Sequence, residues 1–195
     1  MTADIPLTDL LNQVRACRVC EQELPLGANP VLRAQTSARI LIIGQAPGTR
    51  VHATGIPWND PSGDRLRDWM GVNEDLFYDR SKLAIVPMAF CFPGYDAKGS
   101  DLPPPKICAE TWHQQVLSAL KNVRLTLLVG GYAHGWHLGR KAGVTETVAA
   151  WRDLGPDVIP LPHPSWRNTA WLKKHPWFEA ELLPVLRARV VEVLA

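Results

Sequence analysis

Four short runs of apolar, largely β-branched residues decide what this chain can fold into. They are "RILIIG" at 39–44, "LAIVPM" at 83–88, "LTLLVGG" at 125–131 and "DVIPLP" at 157–162. None alternates apolar with polar residues, as a strand with one wet face would. Continuous apolar strands belong to a parallel sheet covered on both faces. The covering helices are legible between them. "LTDLLNQVRAC" opens on Thr8 as the expected N-cap, and "SGDRLRDWMG" is expected to run from a Ser62 cap to a stop at Gly71. "CAETWHQQVLSALKN" sets Trp112, Val116 and Leu120 on one face, and the last helix aligns Leu182, Leu186, Val190 and Val193. Strand and helix alternate, so the fold class is α/β with helices on both sides of the sheet. No repeat, low-complexity linker or composition break divides the chain, and residues 1–195 read as a single domain.

Ligands of an open α/β sheet bind beyond the carboxyl ends of its strands. That rule selects the loops at 44–62, 88–106, 131–140 and 162–171. The seventeen prolines, spread among apolar segments, make such loops rigid rather than disordered. A net charge of +2 is too small to argue for nucleic acid by itself, so any basic surface has to be local. No apolar run reaches the ~20 residues of a bilayer span. The N-terminus has no basic region followed by an apolar one, so a cytoplasmic chain without a membrane partner is expected. In that compartment cysteines serve as reduced thiols, metal ligands or catalytic groups rather than disulfides.

Three features of the loops carry chemistry. "GQAPG" at 44–48 follows the first strand like a phosphate cradle, yet it lacks the Lys-Ser/Thr ending of a P-loop. "PHPSWRN" at 162–168 sets His163 between two prolines and presents Ser165, Arg167 and Asn168 in a short rigid segment. The four cysteines are Cys17 and Cys20, a CxxC after the first helix, and the separated Cys91 and Cys108. Four thiolates can close a shell around a metal or cluster, and the wide spacing of the second pair favours iron–sulfur over zinc. Four small buried thiols without metal, or a redox dithiol, are the alternatives from spacing alone.

Taken in order, these motifs resemble the uracil-DNA glycosylase superfamily, most closely its iron–sulfur-containing family 4 branch. "GQAPG" corresponds to that branch's "GEAPG", His163-Pro164-Ser165 to its "HPS", and the cysteines to its CxxC and two singles. The resemblance implies a three-layer α/β/α sandwich with a central four-stranded parallel sheet. It implies hydrolysis of the N-glycosidic bond of uracil or another deaminated base, the first step of base excision repair, by a monomer acting on DNA. The nucleotide would be flipped out of the duplex. Trp58 of "GIPW" would stack on the base, and Gln45, Ala46 and His163 would bind it, with His163 facing the charge that develops on the leaving group. Ser165, Arg167 and Asn168 would contact DNA, Arg167 at the wedge position, with Arg50, Arg65, Arg67, Lys173 and Lys174 as further phosphate contacts. Cys17, Cys20, Cys91 and Cys108 would hold a 4Fe-4S cluster, with zinc or no metal as the alternatives.

Two departures bear on activity. Gln45 stands where the branch has Glu, and Ala46 where family 1 has Asp, so the turn lacks a carboxylate to activate water. Gln45 is expected to take a catalytic part still, by positioning a water through hydrogen bonding, with Asp60, or Asp64, as the substitute carboxylate. Pro87 stands where the family places a base-reading Asn. These gaps motivate a second expectation, a superfamily member that binds damaged or single-stranded DNA without cutting it.

Overall fold

A computed structural model describes residues 5–139 and 142–195; Met1–Asp4, Arg140 and Lys141 of the expected 1–195 domain lie outside them. In chain order the main elements are α1 (Leu7–Arg15), β1 (Ile40–Ile43), α2 (Thr49–Thr54), α3 (Pro61–Met70), α4 (Glu74–Tyr78), β2 (Leu83–Ile85), α5 (Lys106–Ser118), β3 (Leu125–Val129), α6 (Gly131–Leu138), α7 (Val144–Ala149), β4 (Val158–Leu161), α8 (Thr169–Lys174) and α9 (Leu183–Leu194). The strands form one four-stranded sheet in the order β2-β1-β3-β4. Every pairing is parallel, with Ile40 opposite both Leu83 and Leu125, and Thr126 opposite Val158.

The period of two along a strand sorts the core into two layers. Ile40, Ile42, Leu83, Ile85, Leu125 and Leu127 point to the face covered by α3 and α9, where Leu66, Trp69, Leu186 and Val190 meet them. Leu41, Ile43, Ala84, Val86 and Leu128 point to the other, under α1 and α5, against Leu10, Val14, Ala109 and Val116. Both faces are thus buried, which is why the strand sequences show no alternation. The expected α/β/α sandwich is the fold observed.

The helix starts differ from expectation at two places. Helix α1 begins two residues earlier, with Pro6 rather than Thr8 in the cap position. Helix α3 is capped by Asp60, whose side chain accepts from Gly63 N–H at 2.9 Å, and not by Ser62. Pro61 explains the shift. A proline is favoured at the first helical position, where a missing N–H is harmless, and it leaves the capping role to the residue before it. Gly71 does end α3, in the left-handed conformation. In the last helix Leu182, Leu186, Val190 and Val193 are all buried. Its first turn, Phe178–Leu182, is wound as a π-helix just ahead of Pro184, which has no N–H to donate to the preceding turn.

Two histidines are core residues, His113 and His134, each 2% exposed. Their Nε2 atoms bond to the carbonyls of Pro87 and Leu128. His137 packs against His113 with ring centroids 5.8 Å apart. Burial lowers the pKa of all three, that of His137 from 6.5 to about 4. Between those values the unfolded chain binds more protons than the folded one, so stability rises with pH there. Urea unfolding should therefore show stability lost progressively as pH falls from about 6.5 to about 4. The slope should be shallower in His137→Gln.

Candidate functional site

Strand β1 delivers the chain to Gly44, and the backbone then clasps the end of β2: Met88 N–H donates to Gly44 O at 2.8 Å and Ala89 N–H to Gln45 O at 3.0 Å. Gly44 is required here because the ring of Trp58 rests on it. A Cβ at Gly44 would lie 2.9 Å from Trp58 Cζ2. Trp58 has φ 58°, and among the described residues no other non-glycine has a positive φ. Such a conformation costs about 1–3 kcal/mol and persists only where its surroundings over-determine it. Those surroundings are visible. The Trp58 carbonyl packs directly on Gly63, where a Cβ would come within 1.7 Å of the oxygen. Arg67 donates to the same oxygen at 3.3 Å. Tyr78 Oη donates to Pro57 O at 2.9 Å.

The opposite wall is the loop after β4. Asn168 Nδ2 donates to His163 O at 2.7 Å, and Arg65 donates to Ser165 O at 3.0 Å. Ser165 N–H donates to His163 Nδ1 at 3.2 Å. A ring nitrogen that accepts carries no proton, so in the neutral imidazole the proton is assigned to Nε2, which can donate. Burial lowers the His163 pKa, opposed by the negative charges of Asp60 and Asp101. The His163 and Trp58 rings lie 5.5 Å apart and tilted by 34°.

Gln45, Ala46, Trp58, Asp60, His163, Ser165 and Arg167 all line one cavity of about 440 Å³ beyond the carboxyl ends of the strands. Four polar or aromatic residues of the same cavity were not singled out as functional from sequence: Ser62, Tyr95, Asp101 and Trp166. Trp166, 74% exposed beside Arg167, is the most prominent apolar group at its rim. An exposed Trp between a rigid loop and a cavity was readable in "PSWRN"; Asp101 was not, because a hairpin brings it in. Asn168 lines a neighbouring hollow with Gly130 and Thr145 instead. The expected loop at 131–140 is mostly helix α6, and of its described residues Gly131 and Tyr132 line that hollow and none lines the cavity.

A model of the uracil DNA glycosylase superfamily matches residues 33–187. The chain belongs to the uracil-DNA glycosylase superfamily. Among solved structures, wild-type SMUG2 of Pedobacter heparinus is similar, with 14% identity, 78% of this chain and 76% of that chain covered, and a TM-score of 0.42.

Membership does not keep every expected contact. Arg67 is structural: it pairs with Asp64, bonds to Trp58 O and lies over the rings of Phe77 and Tyr78. Arg65 is spent on the His163 loop. Asp64 does not line the cavity, and its carboxylate engages Arg67. Asp60 does line it, with one oxygen committed to the α3 cap. Pro87 lines it as well, its carbonyl taken from behind by His113.

The Cys17–Cys20 pair and the separated Cys91 and Cys108 face one apolar recess of about 30 Å³. All four are free thiols. Cys17 Sγ accepts from Trp112 Nε1 and Cys108 Sγ from Phe90 N–H, each at 3.4 Å. Burial pushes the Cys108 thiol up to about 12, and the neighbouring cysteines add to the rise. As the side chains stand, no group of three or more His, Cys, Asp or Glu among the described residues is arranged to hold a metal ion. The donor set is nonetheless all sulfur in an apolar recess, which suits soft metals and iron–sulfur clusters.

Proposed function

We propose that this protein is a DNA glycosylase that hydrolyses the N-glycosidic bond of uracil or another deaminated base. One observation carries the reading: His163 and Trp58 lie side by side, ring centroids 5.5 Å apart, in the wall of one cavity large enough for a base, with Nε2 the imidazole nitrogen left to donate. A flipped base stacked on Trp58 gains about 1–3 kcal/mol, offsetting the few kcal/mol of unpairing. As the glycosidic bond breaks, negative charge gathers on the base oxygens. A fixed neutral N–H donor pointed at that charge is worth more in the transition state than in the ground state. Burial of His163 favours the neutral ring that this role needs. Ala46 and the Gln45 main chain bound the same ring, and Asp60 adds negative charge facing the imidazole and the electron-poor sugar. Ser165, Arg167 and the exposed Trp166 would meet the DNA at the rim.

The test is base release from single-stranded and duplex oligonucleotides carrying uracil, hypoxanthine or xanthine. An abasic product from at least one is expected; none from any would remove the enzymatic claim. A second reading, damaged-DNA binding without excision, is favoured by the turn that offers Gln45 and Ala46 in place of a carboxylate. Tight binding with no product, unchanged by His163→Ala, would select it.

We propose also that Cys17, Cys20, Cys91 and Cys108 hold a 4Fe-4S cluster with a structural role. Bound, it would tie the segment after α1 to the loop after β2 and the start of α5, and compensate the buried thiolates. Anaerobically purified protein should show visible charge-transfer absorption that Cys108→Ser weakens or abolishes, together with a lower Tm. Colourless protein containing stoichiometric zinc would replace the cluster with zinc.

A further inference from the structure

The superfamily turn here carries Gln, and the structure says what the amide is for. Gln45 Nε2 donates to Leu102 O at 3.0 Å, reaching across to the loop after β2. That loop folds into a small hairpin. Tyr95 and Asp101 form an antiparallel bridge, Asp96 N–H donates to Ser100 O at 2.8 Å, and Leu102 N–H to Gly94 O at 2.9 Å. Asp96 Oδ1 accepts from Lys98 and Ser100 N–H, both at 2.8 Å, which closes the tip. A second tether, Tyr95 Oη to Thr49 Oγ1 at 3.1 Å, binds the hairpin to the start of α2. Asp101, next to the clamped Leu102, is thereby set in the wall of the cavity that His163 and Trp58 line.

We propose that Asp101 is the carboxylate that activates water in this protein, and that Gln45 is the positioning residue that holds it there. This rests on the glycosylase reading above. Asp60 shares the cavity but has an oxygen committed to Gly63 N–H, whereas the Asp101 side chain makes no hydrogen bond or ion pair among the described residues. The other charged or titratable groups on the cavity wall are Asp60, Tyr95, His163 and Arg167. The substitution at the turn then follows from donor chemistry. A Glu at 45 would set an acceptor against the Leu102 carbonyl, also an acceptor, and release the hairpin. In the step itself, the water oxygen bonds to C1′ while the C1′–N bond breaks. The bonding pair leaves with the base, held as an anion by His163 Nε2–H. The water proton passes to Asp101 and later to solvent, and the base anion takes up a proton from solvent.

Single-turnover base release tests this on the full chain. Asp101→Asn, at an exposed position and nearly isosteric, should leave Tm and DNA affinity within error and lower the rate about 10²–10⁴-fold. It should also flatten the acidic limb of the pH–rate profile. Gln45→Glu, which places there the residue of the family 4 branch that the turn resembles, should slow the reaction rather than speed it, and should lose hydrogen-exchange protection at the Leu102 amide. A readout independent of catalysis is the His163 imidazole titration by NMR, whose pKa should drop in Asp101→Asn. An active wild type whose Asp101→Asn variant stays within threefold, or whose Gln45→Glu variant is faster, overturns this assignment alone. A wild type that releases no base overturns the glycosylase reading and the assignment with it.

Discussion

His163→Ala is expected to lower the rate of base release by about 10²–10³-fold, the loss typical of removing one preorganised oxyanion donor. The substitution deletes the Nε2–H and leaves Trp58 and its supports in place. DNA affinity, read by fluorescence anisotropy, should therefore change only a few-fold while single-turnover rates collapse. Because Asn168 holds His163 through its backbone carbonyl, the loop keeps its anchor in the variant. Retention of the rate within tenfold would mean that the imidazole does not face the leaving base.

The second large effect lies at a glycine outside the recognisable motifs. Gly63→Ala places a methyl group 1.7 Å from the Trp58 carbonyl oxygen, a distance that only backbone movement can relieve. Helix α3 would have to withdraw from the residue it pins, giving up the Asp60 cap at the same point. Destabilisation of about 3 kcal/mol or more is expected, at the high end for single substitutions. In a domain of this size that lowers Tm by about 6–12 °C. Gly48→Ala is the control. Gly48 lies inside "GQAPG", yet nothing stands within 4 Å of its would-be Cβ and its φ of −83° suits any residue. Thermal melts of the two variants should separate clearly, and equal Tm values would refute the packing argument.

That contrast shows where the sequence was informative and where it was not. The sheet was legible because burial on both faces leaves runs such as "ILII" with no polar position. The cavity was legible as separate motifs, because the ends of parallel strands are where an α/β sheet gathers its loops. Within the motifs, individual duties were not. "GQAPG" does not reveal that Gly44 makes room for a ring and Gly48 does not, since the difference lies in what packs against each. Ser62 read as the cap of α3 because its hydroxyl suits the role, and only the fold gives that role to Asp60. Arg65 and Arg67 read as a phosphate-facing pair, and only the fold turns one to Ser165 and the other to Trp58. Asp101 was hidden for a different reason: a hairpin of no regular period, closed by Asp96, carries it to the cavity.

The strand order has a consequence for when the site comes into being. The walls that carry Trp58 and His163 hang from β1 and β4, and these two strands are not neighbours; β3 lies between them. A nascent chain that has paired β1 with β2 possesses Trp58 and its supports but no imidazole opposite. Only insertion of β3, followed by docking of β4, sets His163 at its distance from the ring. Of the three pairings, that of β1 with β3 joins the most distant parts of the chain, Ile40 with Leu125, and is the slow one to form. The cavity is therefore complete only once β3 joins the two ends of the sheet, and a chain lacking that pairing has no such pocket.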